Sequence, residues 1–87
     1  MTRKPKPDAT RWTIGLDRKG ACVEVVVEIL PVEYRERWAW VARVTGPTGR
    51  ASDGPPCPSE WLAVADAAPR ARNAYGATRI LSAVVTP

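Results

Sequence analysis

The side chains of this 87-residue chain that could carry out chemistry are two cysteines, nine carboxylates and thirteen lysines and arginines, without a single histidine. Histidine is the most common general base and metal ligand, so its absence removes the ordinary partner of a nucleophile or a metal ion. Cys22 and Cys57 lie far apart in the sequence, whereas a zinc site draws four ligands from closely spaced pairs. Cys57 also lies in a proline-rich loop without an activating base. We therefore expect no catalytic residue, no cofactor and no metal site.

The carboxylates do not change this expectation. Four of them cluster around one predicted strand and the loop after it, namely Glu24, Glu28, Glu33 and Glu36. Arg35 and Arg37 are interleaved with them, which argues against a site where several carboxylates converge on a divalent cation. The glycines of segment 46–50 indicate a turn, because no Lys-Ser or Lys-Thr pair follows them as in a phosphate-binding loop.

Positive charge is the remaining chemical feature. The chain has a formal net charge of +4, and part of the excess lies in residues 1–10, where prolines separate the basic side chains Arg3, Lys4 and Lys6. This segment has no apolar periodicity, so we predict a flexible basic tail followed by a single small domain over residues 11–87. We find no export signal and no apolar run long enough to span a membrane. We therefore expect a cytoplasmic protein with two reduced thiols.

Three stretches alternate with the period of a half-buried strand, namely residues 11–16, 21–30 and 37–45. Residues 17–20 supply a turn between the first two. Pro31 is expected to end the second strand, and the connection from Pro31 to Glu36 is expected to be wider than a tight hairpin. Residues 50–53 are consistent with a short fourth strand.

A helix is predicted after the proline-rich segment 54–58. Ser59 is a suitable N-cap and Gly76 a suitable C-terminal stop, while Pro69 should kink the helix or split it in two. Segment 77–85 is ambiguous: Ile80, Leu81, Val84 and Val85 fit one face of a helix, whereas residues 79–85 fit a buried strand returning to the sheet. We favour the strand. The predicted fold is α+β: an antiparallel meander of three to four strands, with one C-terminal helix packed on its tryptophan-bearing face.

The four tryptophans are expected to form the centre of the core. Trp12, Trp38 and Trp40 lie on strand faces that also carry valine, isoleucine or leucine, and Trp61 begins the apolar stripe of the helix. This placement favours core residues over exposed platforms on which nucleic-acid bases could stack.

Two classes of function remain. The preferred hypothesis is a small non-catalytic protein-binding module that binds another protein or a second copy of itself, with no small-molecule ligand and no membrane. Its candidate binding surface comprises Tyr34, Arg35, Arg37, Arg43, Arg50, Arg70 and Arg72. In size and layout the chain resembles accessory and inhibitor proteins of phages and other mobile elements, which implies action by binding.

The alternative is DNA or RNA binding through the basic tail and the helix arginines. A three-stranded sheet with Trp-Ala-Trp followed by Arg43, and then a helix, is similar in architecture to plant AP2-type domains and some integrase N-terminal domains. That resemblance implies a sheet laid in the major groove, but Glu24 and Glu28 would repel phosphate there. The discriminating feature is whether the basic residues share one surface. They are Arg11, Arg18, Lys19, Arg50, Arg70 and Arg72.

Overall fold

The computed structural model describes residues 5–86, which form a five-stranded antiparallel sheet with one helix packed against it. The elements are β1 (Thr10–Arg18), β2 (Ala21–Tyr34), β3 (Arg37–Thr45), β4 (Ala51–Asp53), α1 (Glu60–Ala74) and β5 (Arg79–Val85). The order across the sheet is β4-β3-β2-β1-β5, so four strands form a meander and β5 returns beside β1. The α+β fold with a single helix is confirmed. Residues 1–4 of the predicted tail lie outside the described residues.

Two tight turns set the register of the meander. Lys19 and Gly20 join β1 to β2, and Arg35 and Glu36 join β2 to β3. All four residues have positive φ, as a two-residue type I′ turn requires. The predicted wide connection after Pro31 is therefore wrong, and β2 continues to a tight hairpin instead.

Pro31 is accommodated inside β2 because its position needs no ladder hydrogen bond. It lies opposite Trp40, which exchanges its two backbone hydrogen bonds with Cys57 instead, at N–O distances of 2.9 and 2.8 Å. On the other side of β2, pairing with β1 reaches only as far as Ile29. The missing N–H of Pro31 consequently faces an open edge, where proline is tolerated.

Beyond Ile29 the sheet narrows to two strands. We call residues 30–41 the arm: it consists of the last part of β2, the turn and the first part of β3. The molecule measures 53 × 23 × 18 Å along its principal axes. Such an elongated shape is expected when a two-stranded arm extends past a wider sheet.

The core lies between α1 and one face of the sheet, and its residues are small or aliphatic. The strands contribute Ile14, Leu16, Val25, Val27, Ile29, Ala42 and Val44, and the helix contributes Ala63, Val64, Ala67, Ala68 and Ala71. Four of the five helix residues are alanines, so the helix axis can lie close to the sheet.

Both ends of α1 are capped as the sequence predicts. The Ser59 hydroxyl accepts a hydrogen bond from the Leu62 N–H at 3.2 Å. At the other end the N–H groups of Gly76 and Ala77 donate to the carbonyls of Asn73 and Arg72, which is a Schellman motif. Gly76 adopts the positive φ of 64° that this motif needs.

Pro69 does not split the helix, which runs unbroken from Glu60 to Ala74. A proline at this position removes one hydrogen bond to the carbonyl of Ala65. Ala65 lies on the exposed side of the helix, so water can satisfy that carbonyl. Among the described residues, no helix is long and apolar enough to cross a membrane.

The tryptophans do not form the centre of the core, and that expectation is wrong. Trp61 is 58% exposed, while Trp12, Trp38 and Trp40 are only partly buried. Trp12 and Trp61 contact each other at the rim, with ring centroids 5.8 Å apart. The inner face of α1 consists mainly of alanines, and the larger tryptophan rings lie around the edge of this layer.

The close approach of helix and sheet predicts the effect of enlarging a buried alanine. Ala67 is fully buried, so Ala67→Leu should lower the free energy of unfolding by about 1–3 kcal/mol through overpacking. Ala65→Leu is the control because Ala65 is exposed on the same helix, and it should change stability by less than about 0.5 kcal/mol. Urea unfolding of both variants measures the difference. Equal stability of the two variants would contradict the thin alanine-lined core.

Candidate binding surfaces

Arg70, one of the predicted surface residues, lies in a network that joins α1 to the sheet. Its guanidinium donates to the Ala42 carbonyl at 2.8 Å and to the carbonyl and hydroxyl oxygens of Ser52, both at 3.2 Å. It also forms an ion pair with Asp66 one helical turn earlier, with an N–O distance of 2.9 Å. Its donors are therefore used to hold β3 and β4 against the helix.

Gly54 makes room for this network. A Cβ atom at Gly54 would lie 2.6 Å from the Arg70 guanidinium and would also overlap the Asp66 carboxylate. The Gly54 N–H donates to the same Ala42 carbonyl at 3.0 Å. The glycine in the loop after β4 is thus required for the close approach of the helix ion pair.

Arg43 is also engaged within the sheet. Its Nε and Nη2 donate to the two carboxylate oxygens of Asp53 at 2.8 and 3.1 Å, in a bidentate ion pair between β3 and β4. This hydrogen bonding lowers the pKa of Asp53. Glu28 of β2 lies directly opposite Arg43 of β3 in the register of the sheet.

The remaining predicted residues separate to the two ends of the molecule. Tyr34, Arg35 and Arg37 lie together at the end of the arm, and the Arg35 guanidinium lies 5.1 Å from the centre of the Tyr34 ring. Arg50 is exposed in the turn between β3 and β4, and Arg72 is half-buried in the last turn of α1. The candidate surface is therefore not one patch.

The end of the arm forms one side of a shallow cleft. Its lining includes Tyr34, Arg37 and Trp38 from the arm and residues 56–58 from the loop that precedes α1. The loop is held there by the backbone bridge between Cys57 and Trp40. Trp38 and residues 56–58 were missed as surface residues because no local pattern indicates that the loop returns to β3.

A second grouping lies at the opposite end of the sheet, which we call the basic end. The β1–β2 turn, the β3–β4 turn and the C-terminus of α1 all lie away from the arm, and the Tyr75 hydroxyl donates to the Thr45 carbonyl at 2.8 Å. The β1–β2 hairpin extends beyond the end of β3, because the pairing of β2 with β3 begins only at Glu28. Five cations lie at this end: Arg18, Lys19, Arg50, Arg72 and Arg79. Arg79 is paired with Asp17 at 3.0 Å.

The six basic residues named as the nucleic-acid test do not share one surface. Four of them belong to the basic end, but Arg70 is engaged in the helix–sheet network. Arg11 lies opposite Glu28 in the middle of the sheet. The described part of the tail lies elsewhere again, since residues 6–9 line a hollow with residues 30–32 at the base of the arm.

The two thiols are free, and they lie in different surroundings. Cys22 is exposed on β2. Cys57 is partly covered, and burial raises the pKa of its thiol, with the Asp66 carboxylate adding to the shift. A raised pKa keeps Cys57 protonated at neutral pH, so the structure gives it no feature of a nucleophile. Within residues 5–86, no three potential metal ligands cluster.

The Arg70 network predicts that two arginines two positions apart on α1 have different roles. Arg70→Ala leaves the carbonyls of Ala42 and Ser52 without their charged donor, and it should lower the free energy of unfolding by about 2 kcal/mol. Arg72→Ala is the matched control and should change stability by less than about 0.5 kcal/mol. Urea unfolding distinguishes them. Similar losses for both variants would show that the network contributes nothing specific to stability.

Comparison with protein-family models, with curated proteins and with solved structures finds no match to this chain.

Proposed function

We propose that this chain is a small non-catalytic protein-binding module and that the end of its arm is the binding surface. The observation that carries the proposal is a tyrosine and two arginines gathered at the end of a two-stranded projection beside a partly buried tryptophan. Tyrosine, tryptophan and arginine are the residue types that contribute most to binding energy at protein interfaces.

The charge of the arm favours a protein partner over a nucleic acid. Arg35 and Arg37 are accompanied by Glu33 and Glu36 within the same hairpin end. The two positive and two negative formal charges cancel, whereas a phosphate-binding surface needs a local excess of positive charge. A balanced set of charges around aromatic rings suits a protein surface of mixed character.

The turn of the arm supports the same proposal. Arg35 and Glu36 have φ values of 52° and 64°, a region that glycine and asparagine adopt more easily than longer side chains. Each such residue costs on the order of 1 kcal/mol, and strained backbone is concentrated at functional sites. The β1–β2 turn also has a long charged residue at its first position, Lys19, but has Gly20 at the second. Glu36 at the second position is therefore the feature specific to the arm, and it is consistent with a role in contact rather than in folding.

Two narrower statements belong to the proposal. An accessory or inhibitor protein of a phage or mobile element would act through such a surface, by binding to its target. A cytoplasmic location is supported by the two free thiols, which suit a reducing compartment.

Replacing the turn of the arm tests the binding surface without weakening the fold. The double variant Arg35→Asn, Glu36→Gly gives the turn its preferred residues, so its melting temperature should equal or exceed that of the wild type. The same variant should lose captured protein partners in nuclease-treated extracts of cells that express the chain. Quantitative mass spectrometry of captured proteins measures this loss.

The other hairpin supplies the matched control. Lys19→Asn places Asn-Gly in the β1–β2 turn and should stabilise the fold in the same way while leaving the captured partners unchanged. An identical partner set for all three proteins would remove the arm from the proposal. Loss of every partner on nuclease treatment would favour the second candidate function.

That second candidate is nucleic-acid binding at the basic end, which the five cations on this side of the molecule favour. It predicts binding of fluorescent duplex DNA, single-stranded DNA or RNA that weakens steeply with salt. Arg18→Glu with Arg50→Glu should abolish this binding, while Arg35→Glu should not. Absence of binding at low salt would eliminate the candidate.

A further inference from the structure

The outer edge of β5 is the most apolar exposed element of the described chain. Of the eight large hydrophobic side chains exposed within residues 5–86, four belong to this strand: Ile80, Leu81, Val84 and Val85. β5 is the last strand on its side of the sheet, so one row of its backbone groups has no partner strand. An open and apolar edge of this kind is a template for pairing with another strand.

The register with β1 shows which backbone groups are open. The Thr86 N–H donates to the Arg11 carbonyl at 2.8 Å, so Thr86 directs its backbone groups toward β1. Successive residues of an antiparallel strand direct their backbone groups to opposite sides, so Ala83 and Val85 direct their N–H and C=O groups outward. Leu81 interrupts the pattern nearer the start of β5, because Gly15 pairs with Ser82 and Leu16 with Ile80. The regular open edge is therefore 82–86.

We propose that β5 is a homodimerisation edge, and that two copies of this chain pair antiparallel through residues 82–86 around a two-fold axis at Val84. The Ala83 and Val85 backbone groups of each copy then face those of Val85 and Ala83 in the other. This arrangement places all outward donors opposite outward acceptors and avoids the irregular position at Leu81. Two five-stranded sheets become one continuous sheet of ten.

The charge of the edge explains why a second copy is a suitable occupant. Residues 80–86 contain no charged side chain, and charges on an edge strand are a common protection against self-pairing. Arg79, just before this stretch, is already paired with Asp17 of its own chain. In the proposed register Val84 lies opposite Val84 and Ser82 opposite Thr86, so no like charges meet and apolar residues face each other.

The helix side of the edge also gains a partner in this arrangement. A two-fold axis perpendicular to the sheet places both helices on the same face of the joined sheet. Trp61 contacts Trp12, and Trp12 lies opposite Val85 across the β1–β5 ladder. Trp61 is 58% exposed there. The rim tryptophans thus lie on the side of the molecule where the second copy docks.

This surface is separate from the arm, and the inference does not depend on the proposed function of the arm. It is tested by sedimentation of the purified full chain between about 1 µM and about 1 mM, a range in which weak dimers are resolved. The wild type should sediment as a concentration-dependent dimer. Hydrogen exchange at the Ala83 and Val85 amides should slow as the dimer forms.

Three variants locate the interface. Val85→Pro removes only an outward N–H, so it should abolish the dimer while leaving the melting temperature of the monomer close to that of the wild type. Val84→Lys places two like charges at the two-fold axis and should have the same effect. Val26→Lys is the matched control, because Val26 is 49% exposed on the same sheet face but lies on β2, away from the edge.

Each outcome of these measurements either supports or overturns pairing through β5. A dimer that persists in Val26→Lys and is lost in both β5 variants supports edge pairing at Val84. A wild type that remains monomeric throughout the concentration range overturns the inference. A dimer that survives Val85→Pro but is lost in Val26→Lys also overturns it, because that result assigns the contact to the open face of the sheet.

Discussion

The small size of the side chains on the inner face of α1 is the constraint on which the rest of the structure depends. Alanines at 63, 67, 68 and 71 hold the helix close to a sheet lined with valine, isoleucine and leucine. The closeness lets the Arg70 guanidinium reach the carbonyls of the strands below it. The tryptophans lie at the rim of this layer, where Trp12 and Trp40 pack against the edge of the core.

Charge is distributed according to this architecture. In the middle of the molecule, basic side chains meet carboxylates, as in the pairs of Arg43 with Asp53 and Arg70 with Asp66. The ends differ from the middle and from each other: the arm has balanced charge and aromatic rings, while the basic end has an excess of cations. The outer edge of β5, over residues 80–86, has neither charged nor aromatic side chains. The arm, the basic end and the β5 edge are thus three surfaces of different chemistry, and none of them contributes a residue to the buried core cluster.

The sequence predicted the fold better than it predicted the surfaces. Alternation of apolar residues located the strands, and the capping residues located the helix, because both signals are local. The extension of β2 through Pro31 could not be anticipated, since it depends on Trp40 bonding to Cys57 instead. Alternation also predicts on which face of a strand a tryptophan lies, but it does not predict how deeply the side chain is buried.

The same limitation applies to the arginines. Arg70 and Arg72 look alike in the sequence, and only the hydrogen bonds of the Arg70 side chain to Ser52 and Ala42 make one of them part of the framework. The pairing of β1, the first strand in the chain, with β5, the last, also affects the order in which the strands fold. The hairpins of the meander join neighbouring segments, whereas the contact between Asp17 and Arg79 spans 62 residues. Closing so long a loop costs more conformational entropy than closing a hairpin and is therefore slower. We expect β5 to be the last strand to join the sheet. Until β5 docks, β1 is the unpaired edge of the sheet. The incompletely folded chain can therefore pair with other strands along β1, whereas the folded protein can do so along β5.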